Sequence, residues 1–305
     1  MKKIILITLL ALAGASAALA QGGQDALPFT RIDRNPALSG MAGASIASSD
    51  EAAWSAFRNA ASLPFFQKSL DTGIGYQLWA PSGAKSSNIN VGVAYKFSDK
   101  IGLSLGFASQ SGSAYDVISD DGEVTGTFSP NDMVVALGFG IGLGEKMSLG
   151  INGRFANQKL GADLSYMGFS GDIMLQIHPS DMLQFVAGVS TLGNSITSAT
   201  RKKFAQPAHA VVGAEFKPLE GLKVDAEAEY YFSKNFAAAI GAEYCIADIV
   251  FVRAGYRYAT QYAVLPSHLA LGVGAKFKGF RLDVSYLTAS PALGNTLNFG
   301  IGFSL

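Results

Sequence analysis

The side chains best suited to metal binding or covalent chemistry are three histidines and one cysteine. His178, His209 and His268 lie far apart in the chain, and none has a second ligand at the short spacing typical of a zinc site. Cys245 is the only cysteine, and the glycine-rich stretch 138–142 is not followed by the Lys-Ser/Thr pair of a phosphate loop. No local motif places a nucleophile beside a base and an orienting group. We therefore predict that the protein is not an enzyme and has no metal site and no cofactor.

Charged side chains in the carboxyl half form a second group with a regular spacing. Three carboxylates occupy every second position of one segment, so they point to one side of a strand and repel one another unless cations lie opposite. Arginine is suited to this role because its planar fork binds carboxylates in pairs. We predict contacts between an N-terminal segment and this acidic face through the following residues: Arg31, Arg34, Arg58, Asp225, Glu227, Glu229, Arg253 and Arg257. Two interpretations stay open, an internal salt-bridge lattice and a polar conduit for solutes.

The elements that must position these residues are β-strands. In residues 88–97 the odd positions are Ile, Val, Val, Tyr and Phe, and the even positions are Asn, Asn, Gly, Ala and Lys. This alternation predicts a strand with one apolar face. The pattern recurs in fourteen segments: 69–80, 87–97, 100–112, 131–144, 146–160, 165–178, 182–193, 207–217, 221–233, 236–246, 248–260, 267–278, 280–289 and 294–305.

An even number of such strands is typical of a transmembrane antiparallel β-barrel, and the rival interpretation is a soluble β-sandwich. The barrel is favoured because the second face is dominated by Gly, Ala and Ser, and because fourteen near-contiguous strands exceed a usual sandwich. We place Ile151 and Val224 on the lipid face and Asn152 and Gly140 in the lumen, and we expect Arg at the first two positions to be tolerated far less well than Ser at Gly140. Alternate connections are short, as at 98–99 and 278–279, and we assign these to the periplasm and the longer ones to the outside.

The first twenty residues predict export. Lys2 and Lys3 precede an apolar run that ends in Ala18-Leu19-Ala20, the pattern of a cleaved signal peptide, so the mature chain would start at Gln21. The predicted domains are a signal peptide (1–20), an N-terminal plug (21–68) and an all-β barrel (69–305) in the outer membrane. The formal net charge is zero, so no basic excess favours nucleic acid as a partner. Outer-membrane lipid is the expected partner.

Residues 21–68 lack the strand alternation. Asp50 is placed to cap a short helix through residues 51–58, and a small-residue stretch precedes it. A partly apolar segment of this length is better buried than left in solvent. We therefore expect it in the barrel lumen or at the periplasmic mouth, as a plug containing a short helix.

Several motifs resemble the PorV/PorQ family of Bacteroidota outer-membrane proteins. They are residues 34–47 (RNPALSGMAGASIA), 49–54 (SDEAAW), 59–63 (NAASL), 171–173 (GDI) and 188–193 (GVSTLG). The chain departs from the family pattern at Ala60, where the family has Pro, and at Ser62, where it has Gly. The family looks related to the FadL fatty-acid transporters, which implies fourteen strands and an N-terminal plug.

Two functions follow from this resemblance. In the first, the barrel is a component or relative of type IX secretion and contacts secretion-system or cell-surface proteins. In the second, a FadL-like barrel admits small hydrophobic molecules past its plug, with Trp54, Phe57, Phe65 and Phe66 along the route. The sequence does not decide between them, and it does not identify a cargo, a substrate or an oligomeric state.

Overall fold

Strands that alternate between apolar and small or polar residues pair into a closed antiparallel barrel of fourteen strands. The computed structural model describes residues 25–79, 86–261, 263–288 and 295–305. The predicted signal peptide, 1–20, lies outside these ranges. Eighteen strands are present in the described ranges: β1 Leu70–Trp79, β2 Ser86–Ser98, β3 Ile101–Gly112, β4 Tyr115–Ile118, β5 Val124–Phe128, β6 Asn131–Gly142, β7 Met147–Lys159, β8 Ser165–Ser180, β9 Leu183–Gly193, β10 Ile196–Thr197, β11 Lys203–Phe204, β12 His209–Leu219, β13 Leu222–Tyr231, β14 Phe236–Ile246, β15 Val250–Ala259, β16 His268–Phe277, β17 Phe280–Thr288 and β18 Thr296–Ser304.

Each barrel strand pairs with the next one along the chain, and β1 pairs with β18 to close the cylinder. In this seam Ile74 lies opposite Ile301. Strands β4 and β5 form a separate hairpin, as do β10 and β11. The sequence predicted the fourteen barrel strands, but the segments 113–130 and 194–206, expected as loops, contain these two hairpins.

The two faces of the barrel differ as the alternation predicts. Ile151 points outward and is 50% exposed, whereas its neighbour Asn152 is 1% exposed and points into the lumen. The same contrast holds along the other strands, so the outer surface is a continuous belt of large apolar side chains. A barrel wall of this kind satisfies its backbone hydrogen bonds between strands and is suited to lipid. In the described ranges, no helix is long and apolar enough to span a membrane.

The ends of the barrel are distinct. We name the end with the tight connections, such as that between β2 and β3, the turn end. The opposite end carries the β4–β5 and β10–β11 hairpins, and we name it the loop end. The first and last strands of the barrel both have their outer termini at the turn end, where Leu70 donates a backbone hydrogen bond to Leu305.

The N-terminal segment, residues 25–68, lies inside the barrel. It contains one short α-helix, Pro36–Ser39, and three 3-10 helices, Pro28–Arg31, Ala52–Phe57 and Ala60–Phe65. The predicted helix at 51–58 is therefore a 3-10 helix, and Asp50 does not cap it: Glu51 is the N-cap and makes no side-chain cap bond. The carboxylate of Asp50 is instead held by Lys223 of the wall.

Residues 25–68 cross the whole barrel. At the loop end, the backbone of Ala26 donates to the carbonyl of Ala205 at 2.7 Å. Near the turn end, Asp50 contacts Lys223 at 3.0 Å. The chain thus enters the lumen at the loop end, runs through it, and leaves at the turn end into β1.

Candidate functional site: the lumen and its N-terminal segment

Glycines in the wall let the N-terminal segment lie directly against the strands. A Cβ on Gly150 would overlap the backbone of Ala61, and a Cβ on Gly140 would overlap the carbonyl of Ala60. Larger residues at these points would therefore displace the segment. Gly140 is thus a contact surface for the segment and not free lumen space, which the sequence did not predict.

Arg58 joins the segment to the wall. Its Nη2 donates to Glu227 of β13 at 2.8 Å, and its Nη1 donates to Asp33 of the segment at 3.2 Å. Glu227 also accepts the backbone N–H of Ile46 at 3.1 Å. The glutamate is buried, so these bonds replace the water that it loses.

Glu229 holds a second junction between segment and wall. Arg31 of the segment and Arg257 of β15 each form an ion pair with one of its two carboxylate oxygens. Tyr231 donates its hydroxyl to the same carboxylate at 2.7 Å. Removing one cation from such a buried cluster leaves an uncompensated charge, which is costly. The cluster therefore strongly constrains where the segment lies against β13.

Arg34 and Asp225, both predicted contacts, do not meet. Arg34 donates to the carbonyl of Phe29 at 2.6 Å and to Asn90 at 3.4 Å, and it makes no ion pair within the described residues. Burial lowers the pKa of Arg34 to about 10, so it is still a cation at neutral pH. Asp225 is buried opposite Glu215, and its carboxylate has no hydrogen-bond partner among the residues described. Of the three carboxylates on the acidic face of β13, only Glu227 and Glu229 thus form ion pairs with arginines of the N-terminal segment.

Arg253 pairs within the wall, with Glu243 and, at 2.6 Å, with Asp283. Glu243 lies on the adjacent strand β14 and Asp283 on β17, two strands away, so this part of the charge lattice needs no residue of the N-terminal segment. The neighbouring junction at Asp50 does need one. Sequence reasoning treated Asp50 as a helix cap, whereas Lys223 approaches it to 3.0 Å. This ion pair lowers the pKa of Asp50 below its usual range.

Three cavities flank the segment. One at the loop end is lined by apolar side chains that include Leu27, Tyr166, Ile196 and Phe204. A second, which we name the central cavity, lies in the half of the lumen nearer the loop end, between residues 30–34 of the segment and the wall, and is rich in charge. A third opens at the turn end, beside Phe65 and Phe66. Phe65 stacks on His178 there, with ring centroids 3.5 Å apart.

Two of the four aromatic residues expected along a route pack elsewhere. Trp54 is buried and lies against the glycines of β1 and β2, and Phe57 lies against Gly106 of β3 while one side of it reaches the central cavity. Phe65 and Phe66 line the cavity at the turn end. The four side chains therefore do not form one continuous path in this arrangement.

Several solved structures share the fold of this barrel. The Pseudomonas putida toluene transporter TodX superposes with a TM-score of 0.62 at 15% identity, over 87% of this chain and 95% of that one. The fold is that of a FadL-like barrel. The CymD monoaromatic hydrocarbon channel gives 0.65 at 13% identity, over 94% and 98%. A Pseudomonas aeruginosa FadL homologue gives 0.53 at 12% identity, over 88% and 95%.

No family model matches the sequence, and no curated protein does. At such low identities the structural likeness establishes the fold and leaves the solute to be argued from this chain's own residues. TodX is a transporter and CymD is a channel, and neither is described as an enzyme.

Proposed function

We propose that this protein is an outer-membrane channel for small hydrophobic molecules, and that its N-terminal segment is the plug. The observation that carries the proposal is the apolar cavity at the loop end. Most of its lining is apolar: Ala26, Leu27 and Pro28 of the plug, Tyr166 of β8, and Ile196 and Phe204 of the β10–β11 hairpin. Asp25, Gln158 and Ser198 contribute polar groups. About 500 Å³ of space there is free of atoms, part of it open to solvent. A concave apolar site of this kind suits a small hydrophobic ligand.

The position of this cavity supports uptake from outside. With the tight turns in the periplasm, the loop end faces the exterior. A solute captured beside Leu27 would then already contact the plug. Leu27 is 2% exposed and packs against Gly168 of the wall, so movement of this part of the plug would open the cavity toward the lumen.

The likeness to TodX and CymD agrees with this proposal, because those proteins are described as a toluene transporter and a monoaromatic hydrocarbon channel. The predicted signal peptide and the lipid-suited outer surface support the location in the outer membrane. Outer-membrane lipid and hydrophobic solutes are then the partners of this chain.

A place beside a type IX secretion or cell-surface attachment complex, as the PorV/PorQ resemblance predicts, is the second candidate. The feature that favours it is the β4–β5 hairpin, whose residues Val117, Ile118 and Val124 are exposed at the loop end. Exposed apolar side chains on a projecting hairpin could contact a partner protein.

The channel proposal can be tested by uptake. The full-length protein is expressed in a bacterial host that lacks its own hydrophobic-solute channels, and entry of radiolabelled toluene is measured. We expect uptake well above the empty host, and we expect Phe204→Asp to lower it because a charge enters the capture cavity. Ile118→Asp, on the other hairpin, is the matched control and should transport normally. Uptake equal to that of the empty host would contradict the proposal, and would leave the secretion-related function as the better candidate.

A further inference from the structure

Two histidines at the loop end occupy equivalent local settings. His209 is the first residue of β12 and His268 is the first residue of β16, and each follows a proline by two positions, Pro207 and Pro266. In both cases Nδ1 of the ring lies 2.9 Å from the carbonyl oxygen of that proline. The sequence gives no metal-type spacing to these residues, but the fold brings both of them to the central cavity.

The hydrogen bond fixes the state of each imidazole. A carbonyl oxygen can only accept, so Nδ1 must carry the proton. In the neutral ring Nε2 is then an acceptor, and both histidines line the central cavity. His209 and His268 are 1% and 4% exposed, and within the described residues neither Nε2 has a hydrogen-bond partner.

The neighbouring polar groups are already engaged with one another. His209 lies opposite Tyr231 in the β12–β13 pairing, and His268 lies opposite Arg257 in the β15–β16 pairing. Tyr231 and Arg257 both bind Glu229. Among the cavity's donors, Nε of Arg257 is left without a hydrogen-bond partner in the described part of the chain. The two histidine Nε2 atoms are acceptors without a partner among the described residues. A hydroxyl group can satisfy both kinds of atom because it donates and accepts.

The rest of the lining combines charged side chains, such as Arg58, Glu227 and Glu229, with apolar ones against which a ring can pack. Apolar side chains of Phe57, Leu265 and Leu287 line the cavity together with residues 30–34 of the plug. In the closed arrangement it has room for only a few water molecules. A ring-sized ligand therefore enters only when residues 30–34 shift, which is the part of the plug held to the wall by Arg31.

We propose that the central cavity is a binding site for neutral aromatic molecules that carry a hydroxyl group, and that this hydroxyl donates to Nε2 of His209 or His268. This inference rests on the proposed channel function and specifies its ligand class. A phenol donates a hydrogen bond to the Nε2 acceptor, whereas a plain hydrocarbon of the same size displaces water from Nε2 and leaves that acceptor without a hydrogen bond. Sites built to hydrogen-bond a hydroxyl discriminate strongly against analogues that lack one.

The test uses the purified full-length protein in detergent and two probes, 4-propylphenol and propylbenzene, with binding measured by titration calorimetry. We expect 4-propylphenol to bind more tightly. His209→Asn and His268→Asn keep a donor near the position of Nδ1 but remove the acceptor that faces the cavity. We expect the double variant to bind 4-propylphenol about tenfold more weakly, the usual scale for one lost hydrogen bond. Its affinity for propylbenzene should not change.

Two further variants separate binding from structure. His268→Gln reaches the position of Nε2 with an amide and should retain part of the preference for the phenol. His178→Asn, at the turn end, should bind both probes like the unaltered protein. Equal affinity of the unaltered protein for the two probes, or an equal loss of both in the double Asn variant, overturns the proposed ligand class. If neither probe binds and toluene uptake is also absent, the channel function itself fails.

Discussion

Arg58 of the plug donates a hydrogen bond to Glu227 of β13 across 2.8 Å, although 169 positions separate the two residues in the chain. Because both side chains lie inside the barrel, each loses hydrogen bonds to water, and this bond replaces them. It also fixes the depth at which the plug lies against the wall, since the neighbouring N–H of Ile46 binds the same carboxylate.

The first prediction concerns this ion pair. Arg58→Ala leaves Glu227 buried without its cation, and removing one partner of a buried pair costs about 3 to 5 kcal/mol. We expect the plug to loosen and the protein to conduct ions in planar bilayers more often than the unaltered form. Adding Glu227→Gln should reverse part of the effect. Lys96→Ala, which breaks a pair with the exposed Asp99, is the control and should stay closed. A closed Arg58→Ala variant would show that the pair does not hold the plug.

A second prediction uses two glycines of one strand. Gly150→Ala places a methyl group where the backbone of Ala61 lies, so the plug should be displaced and ion conductance should rise. Gly153→Ala is the matched control, because a Cβ there meets no atom within 4 Å. If the two variants conduct equally, the plug does not depend on its close contact with the glycines of the wall.

The outer surface gives a third prediction. Ile151→Arg puts a charge on the lipid face, where a midplane arginine costs about 2 to 4 kcal/mol. We expect a lower yield of folded, heat-modifiable barrel in lipid vesicles. Ile118→Arg, on the hairpin beyond the barrel and 64% exposed, should fold normally. If both variants fold equally well, the belt around Ile151 does not face lipid.

The path of the plug gives a fourth prediction. Ala26 is bonded to Ala205 at the loop end, whereas Leu305 meets Leu70 at the turn end. An epitope placed directly after the predicted signal peptide should therefore bind antibody on intact cells. The same epitope after Leu305 should bind only once the outer membrane is permeabilised. Reversed labelling would mean that the loop end faces the periplasm.

The barrel strands were predictable because the environment on each face is uniform. Lipid outside requires large apolar residues and the crowded lumen requires small or polar ones, so each crossing leaves a period of two in the sequence. Segment 131–144, for example, is β6 at Asn131–Gly142. The β4–β5 hairpin was not predicted. Its residues are exposed on both faces, from Tyr115 onward, so there is no contrast between a lipid-facing and a lumen-facing side.

The contacts of the plug were only partly predictable. Glu227 and Glu229 meet arginines of the plug, whereas Asp225 has no hydrogen-bond partner among the described residues. The spacing of charges alone therefore does not identify which residues pair. Arg34 lies beside Asn90 and not beside the acidic strand, and nothing local in the sequence indicates which strand of the wall it meets. The two histidines of the central cavity were missed since their strands are four positions apart around the barrel.

The course of the plug also limits the order of assembly. The seam between β1 and β18 joins the two ends of the sheet, and the segment that precedes β1 already spans the interior from one rim to the other. A free end of polar and charged residues would have difficulty threading through a finished cylinder whose interior it fills so closely. A sheet that curls around the segment before it closes avoids this threading, so we expect the pairing of Ile74 with Ile301 to form only after the segment is in place.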